Sequence, residues 1–101
     1  MAYYNDKTIV YLNGKFVKAA EAKMDFYSQS LHYGYSVFEG IRSYKTVNGE
    51  TRIFKAKEHY DRLEQSAAAV NMPYHWTTEQ LIDATYETLK RNNLQDAYIG
   101  L

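Results

Sequence analysis

The chain contains no cysteine, no apolar run long enough to cross a membrane, and no excess of charge of either sign. Without cysteine it forms no disulfide and has no thiol nucleophile, which fits a reducing compartment. A formal net charge of zero, with no basic tract, argues against an electrostatic nucleic-acid interface. Because the N-terminus also lacks the pattern of a signal peptide, we expect a cytoplasmic protein that binds neither nucleic acid nor membrane.

Several patterns that carry chemistry are also missing. The three histidines, His32, His59 and His75, have no metal-ligand spacing, so we expect no metal site. No glycine-rich phosphate loop follows a strand, and no serine lies in a nucleophile-elbow pattern. The sequence does contain eleven tyrosines among its 101 residues. Since tyrosine combines an apolar ring with a polar tip, this excess suits partly hydrated clefts and interfaces in a single compact domain.

The first half of the chain is predicted to form strands. Residues 8–12 and 15–17 flank Asn13-Gly14, and residues 36–47 and 51–54 flank Asn48-Gly49. Asn-Gly between two such runs is a strong hairpin signal because both residues tolerate a positive φ. We therefore predict four strands, with residues 97–101 opening a further one.

The second half is predicted to form two helices. An apolar stripe repeats at helical spacing and ends near Asn71 and Pro73; its members are Ala56, Tyr60, Leu63, Ala67 and Val70. A second helix begins at Thr77, where Gln80 completes a capping box, and Asn92-Asn93 closes it. Strands followed by helices predict an α+β domain: a mainly antiparallel sheet with two helices packed on it.

The strand predicted over residues 36–47 has two unlike faces. Phe38, Gly40, Arg42 and Tyr44 alternate onto one face, which combines rings, a bare backbone position and a cation. That combination suits the lining of a pocket better than a core. The other face carries Val37, Ile41 and Val47 and looks like core, although Glu39 interrupts it.

The segment around this strand resembles the signature of branched-chain amino-acid aminotransferases, which are class-IV, or fold-type IV, pyridoxal-phosphate enzymes. The matching residues are His32-Tyr33-Gly34 and the run Ser-Val-Phe-Glu-Gly-Ile-Arg at 36–42. The resemblance continues at 10–14, 58–63, 91–94 and 97–99, and so covers nearly the whole chain in order.

The resemblance implies that residues 1–101 are the small N-terminal substrate and dimerisation domain of a longer two-domain enzyme. The C-terminal domain, with the lysine that bonds pyridoxal 5'-phosphate, would be absent, so no catalytic residue is expected in this chain and the isolated fragment should be inactive. The parent enzyme would exchange the amino group of leucine, isoleucine or valine with 2-oxoglutarate. It would act as a homodimer or higher homo-oligomer.

The resemblance also assigns a cofactor residue. Arg62 matches the arginine that binds the cofactor phosphate, and its fork of donors suits a phosphate. The alternative is a helix-surface arginine paired with Glu58, four residues earlier.

Five positions match substrate-binding residues. Phe38 and Gly40 would line the pocket, or else Phe38 is plain core and Gly40 marks a bulge. Tyr33 would enter the site of the neighbouring subunit, or be an interface aromatic only. Arg42 contacts the ligand or holds nearby carbonyls or Glu39. Tyr98 would reach the substrate carboxylate, while His32 is expected to be structural.

One departure from the family pattern concerns the amino acceptor. Gly100 stands where bacterial members often carry an arginine associated with the distal carboxylate of glutamate or 2-oxoglutarate.

Two alternative functions stay open. The first is another class-IV enzyme, such as a D-amino-acid aminotransferase or an aminodeoxychorismate lyase. The second is a non-catalytic α+β module that binds a protein through its tyrosine-rich face.

Overall fold

The structure, a computed structural model, describes residues 4–28 and 33–101. Its elements, in chain order, are strands β1 (Ile9–Leu12) and β2 (Lys15–Lys18), a 3-10 helix (Ala19–Glu21), strands β3 (Gly40–Lys45) and β4 (Thr51–Ile53), helices α1 (Ala56–Ala69) and α2 (Thr78–Arg91), and strand β5 (Ala97–Gly100). The strands form an antiparallel β1–β2 hairpin and an antiparallel three-stranded sheet in the order β4-β3-β5. The predicted α+β fold is confirmed, although its strands belong to two sheets.

The β1–β2 hairpin turns at Asn13 and Gly14, as predicted. Both residues have a positive φ, 52° and 83°, which is the conformation that a tight two-residue hairpin turn requires. The hairpin is held to the end of α2 by Asn92. The side chain of Asn92 accepts a hydrogen bond from the Ile9 amide and donates one to the Ile9 carbonyl, both at 2.8 Å.

Strand β3 is shorter than the predicted run over 36–47. At its C-terminal end the chain turns at Thr46, whose amide donates to Glu50 O (2.8 Å) and whose carbonyl accepts from the Gly49 amide (3.0 Å). This turn leaves Val47 fully exposed, so its placement in the core was wrong. At the other end β3 begins at Gly40, which pairs with Gly100, the last residue of β5.

The two helices begin and end close to the predicted positions. The capping box of α2 is present: Thr77 Oγ1 accepts from the Gln80 amide (3.1 Å), and Gln80 Oε1 accepts from the Thr77 amide (2.9 Å). Asn93, just beyond α2, adopts a positive φ of 55°. A residue in this left-handed conformation commonly follows the last turn of a helix and ends it.

Both helices pack on one face of the three-stranded sheet. The core between them consists of Ile41, Ile53, Tyr60 and Leu89. The hydroxyl of the fully buried Ser43 donates to Gln95 O (2.7 Å), so this buried polar group is satisfied. The opposite face of the sheet carries exposed side chains. Among the described residues, no helix is long and apolar enough to span a membrane.

Candidate functional site

The sheet face that points away from the helices is named here the outer face. It consists of Gly40, Arg42 and Tyr44 on β3 and of Tyr98 and Gly100 on β5, which the register places side by side. Side chains alternate along each strand, so the residues between these five point toward the helices, where they are buried or half-buried. Tyr98 is 72% exposed, and Phe38, which precedes the strand, is 80% exposed. Exposed aromatic surface of this kind makes the outer face a candidate binding face.

Gly40 lies beneath the ring of Tyr98. The β3–β5 register places Gly40 opposite Gly100 and Arg42 opposite Tyr98. A Cβ added at Gly40 would collide with the Tyr98 hydroxyl and would lie 2.9 Å from Tyr98 Cζ, whereas one added at Gly100 would meet open space. The pair of glycines therefore forms a bare patch of backbone, and the phenol of Tyr98 covers one half of it.

Arg42 also lies on the outer face, beside an aromatic ring. Its guanidinium carbon is 5.6 Å from the centroid of Tyr44, within the range of a cation–π contact. Glu39, its alternative partner from the sequence, is bound to other residues. Arg42 therefore adds positive charge to an otherwise apolar surface.

A second group of polar side chains, the Glu39 cluster, consists of Glu39, His59 and Arg62. Glu39 directly precedes β3, and the other two lie three residues apart on α1. Arg62 donates to both carboxylate oxygens, from Nε to Oε2 at 2.8 Å and from Nη2 to Oε1 at 2.7 Å. His59 Nδ1 lies 2.8 Å from Oε1. The cluster joins the strand to the helix through charge-assisted hydrogen bonds.

These contacts fix the charges in the cluster. The hydrogen bonds from Arg62, and then from His59, lower the pKa of Glu39 from 4.5 to about 2, so its carboxylate is ionised at neutral pH. A carboxylate only accepts hydrogen bonds, so His59 Nδ1 carries the proton in that contact. Arg62 Nη2 and His59 Nδ1 lie 3.4 Å apart. Because both atoms are then donors, this contact is not a hydrogen bond.

Arg62 presents its other edge to solvent. Its side chain is 62% exposed, against 8% for Glu39. Within residues 4–28 and 33–101, its hydrogen bonds use Nε and Nη2, which leaves Nη1 available to a ligand. The alternative pairing of Arg62 with Glu58 is wrong, because the guanidinium binds Glu39.

The structure brings some predicted residues together and leaves others apart. Gly40, Arg42 and Tyr98 share the outer face, and Phe38 is exposed beside it, so the alternatives of a core Phe38 and a bulge at Gly40 are wrong. Tyr33 is 76% exposed. His32 lies outside the described residues. No group of three or more potential metal ligands occurs in the part of the chain that the structure describes.

Sequence reasoning missed the role of Glu39. Its signal was an acidic residue on a strand face that otherwise reads as core, where a buried charge requires a partner. The partners themselves, His59 and Arg62, lie 20 and 23 residues along the chain. No local pattern connects them to Glu39.

A cavity of about 450 Å³ lies between the β1–β2 hairpin and the two helices. Its walls are mainly apolar and include Leu63, Met72 and Trp76. Tyr74 also lines the cavity, and its hydroxyl is buried without a hydrogen-bond partner among the described residues. Of the residues predicted to bind cofactor or substrate, none lines this cavity, although Gly100 borders it at the end of β5. The cavity therefore contains no part of the predicted site.

Comparison with known proteins places this geometry in a family. The family described as Amino-transferase class IV matches residues 36–101, which contain both the outer face and the Glu39 cluster. The chain belongs to this family.

Relatives within the family are similar over most of the chain. A protein of Methanocaldococcus jannaschii with the provisional name branched-chain-amino-acid aminotransferase is 48% identical over 92 residues, covering 91% of this chain and 30% of the relative. The branched-chain-amino-acid aminotransferase of Escherichia coli K12 is 39% identical over 90 residues, covering 89% and 29%. The chain therefore spans about 30% of the length of the curated relatives it matches.

Solved structures agree with this comparison. A T.th. branched-chain amino acid aminotransferase, complexed with N-(5'-phosphopyridoxyl)-L-glutamate, superposes with a TM-score of 0.87 at 40% identity, over 93% of this chain and 31% of that one. The Escherichia coli enzyme gives a TM-score of 0.88 at 36% identity, over 93% and 31%. The fold is that of the corresponding part of these aminotransferases.

Proposed function

We propose that this chain is the N-terminal substrate domain of a pyridoxal-phosphate aminotransferase that acts on branched-chain amino acids in the cytoplasm. The observation that carries the proposal is the outer face, where the exposed ring of Tyr98 lies over Gly40, beside the bare backbone of Gly100. Similarity to branched-chain enzymes over nine-tenths of the chain supports it. The chemistry of the whole enzyme requires residues beyond those of this chain.

The Glu39 cluster fits the phosphate of the cofactor. Arg62 offers the Nη1 edge of an exposed guanidinium, and a planar fork of donors suits a phosphate. When bound, pyridoxal phosphate withdraws electrons from the α-carbon of the amino acid. We assign the lysine that would bond it to the rest of the enzyme. Lys57, a lysine of this chain, is not assigned that role, and its Nζ is already paired with Asp61 Oδ2 at 2.6 Å.

The outer face would form one wall of the substrate site. Phe38 supplies an apolar surface for a branched side chain, and the bare backbone at Gly40 makes room for the Tyr98 phenol on the same face. The Tyr98 hydroxyl and the Arg42 guanidinium are the polar groups able to contact a substrate carboxylate. In a homodimer, Tyr33 would enter the site of the neighbouring subunit.

Recognition of the amino acceptor is, like the cofactor lysine, a part of the site that this chain does not supply. Gly100 has no side chain with which to bind the distal carboxylate of 2-oxoglutarate, and the space above it is open. A 2-oxo acid remains the acceptor class, and a cation outside this chain would be needed to favour 2-oxoglutarate.

The substrate class can be tested with the full-length enzyme reconstituted with pyridoxal phosphate. Leucine, D-alanine and aminodeoxychorismate are offered in parallel, and the two amino acids are tested with 2-oxoglutarate and, separately, with pyruvate as acceptor. We expect turnover of leucine, at least about tenfold faster in kcat/KM than of D-alanine, because only the branched side chain fills an apolar wall. Preference for either of the other substrates would assign another class-IV activity. No turnover of any of them would favour a binding module.

A further inference from the structure

We propose that Glu39 is a positioning residue that holds the Arg62 guanidinium in the orientation in which its free Nη1 edge receives the cofactor phosphate. This inference rests on the proposed function of Arg62 as the phosphate anchor. It adds a residue whose own side chain faces the interior and would not touch the ligand.

In the pair of Glu39 and Arg62, the Glu39 side chain is buried and the Arg62 side chain is exposed. Arg62 is 62% exposed and has a long, flexible side chain, which alone would sample many rotamers. The Glu39 side chain is 8% exposed, and Glu39 lies directly before β3, next to Gly40 and the outer face. Two parallel hydrogen bonds from Arg62 to Glu39 set the plane of the guanidinium as well as its position.

His59 restrains the carboxylate in turn. Its Nδ1 donates to Oε1 at 2.8 Å, the same oxygen that accepts from Arg62 Nη2. Glu39 is therefore held through its backbone, whose carbonyl accepts from the Leu101 amide at 3.0 Å, and through its carboxylate oxygens, which contact two residues of α1. A supporting shell of this kind keeps a binding group in its productive geometry before the ligand arrives.

Positioning and simple electrostatics predict opposite results for one variant. A carboxylate beside Arg62 lowers the positive charge that a phosphate meets, so if charge alone mattered, Glu39→Gln would tighten phosphate binding. If Glu39 positions Arg62, the same change loosens the guanidinium and weakens binding, because the amide replaces one acceptor oxygen by a donor.

The test compares two ligands of the full-length apoenzyme, pyridoxal phosphate and pyridoxal, which lacks the phosphate. Dissociation constants are measured for the wild type, Glu39→Gln, Arg62→Ala and the double variant. We expect Glu39→Gln to weaken pyridoxal phosphate about tenfold while pyridoxal stays within about twofold. In the Arg62→Ala background, Glu39→Gln should add nothing. Glu87→Gln, which removes an exposed carboxylate paired with Arg91 Nε at 3.3 Å, is the matched control.

The outcomes separate this inference from the function on which it rests. If Arg62→Ala leaves the difference between the two ligands unchanged, Arg62 is not the phosphate anchor and both proposals fail. If Arg62→Ala abolishes that difference but Glu39→Gln preserves or increases it, only the positioning role is overturned. An equal loss for both ligands in Glu39→Gln means a merely structural role and also overturns it.

A second variant covers the case in which Glu39→Gln does not fold. His59→Phe removes one of the two restraints on the carboxylate and leaves the pair of Glu39 and Arg62 in place. We expect a smaller loss, of about threefold, that is again confined to pyridoxal phosphate. Equal weakening of both ligands, or no change in either, would contradict the inference.

Discussion

At the scale of single residues, two glycines that face each other across β3 and β5 have different surroundings. Gly40 lies under the Tyr98 ring, whereas the space around Gly100 is open. Neither requires a positive φ, so neither is needed for backbone conformation. The two positions differ in the space around them, because only Gly40 lies under Tyr98. A side chain at position 40 would therefore collide with the Tyr98 ring.

Gly40→Ala should therefore displace Tyr98 without unfolding the protein. Tyr98 is 72% exposed and its ring can swing aside, so we expect the free energy of unfolding to change by about 1 kcal/mol or less. The KM for leucine in the full-length enzyme should rise about fivefold, because a wall of the proposed site has moved. A crystal structure of the variant gives the position of the ring, urea unfolding gives the free energy of unfolding, and steady-state kinetics give the KM.

The matched variant is Gly100→Ala. We expect it to leave the Tyr98 ring in place, since a Cβ there meets no atom within 4 Å. If the two alanine variants displace Tyr98 equally, or if neither does, crowding at Gly40 is not what sets the position of the ring.

At the scale of elements, the Glu39 cluster joins β3 to α1. Its strength depends on pH because the pKa of Glu39 is lowered on folding, from 4.5 to about 2. A lowered pKa adds stability that is present above the unfolded value and is lost as the pH falls toward the folded value. The connection between strand and helix should therefore weaken between about pH 4.5 and pH 2.

Glu39→Gln tests this pH dependence. We expect the difference in urea midpoint between the wild-type apoenzyme and the variant to be largest above about pH 5 and to shrink as the pH falls toward about 2. Glu87→Gln, on the exposed face of α2, should show a much smaller difference because an exposed ion pair contributes little. A difference for Glu39→Gln that is constant with pH would mean that its charge is not what joins the two elements.

How far the sequence predicts each element depends on the range of the interactions that define it. The Asn13-Gly14 hairpin and the Thr77–Gln80 capping box are set by neighbouring residues, and both were predicted. The ends of β3 depend on pairing with β4 and β5, so the prediction over 36–47 was too long and placed Val47 in the core. The approach of Tyr98 to Gly40 and of Arg62 to Glu39 depends on distant contacts, which no local pattern reveals.

At the scale of the whole molecule, the helices cover only one face of the three-stranded sheet. The other face presents rings and bare backbone, and the chain spans about 30% of the length of its relatives. This arrangement suits a domain that supplies a wall and an anchor to a site completed by other parts of an enzyme. The family, the fold and the residues of that wall support the proposed aminotransferase function.

We propose that the outer face binds a branched aliphatic side chain. The test is to measure kcat/KM of the full-length enzyme for alanine, 2-aminobutyrate, valine and leucine, with wild type and Phe38→Ala. We predict an increase of about fivefold for each added carbon in the wild type, because each buried methylene contributes about 1 kcal/mol, and a flatter series in the variant. A wild-type series that does not rise, or one that Phe38→Ala leaves equally steep, would mean that the outer face does not bind the substrate side chain.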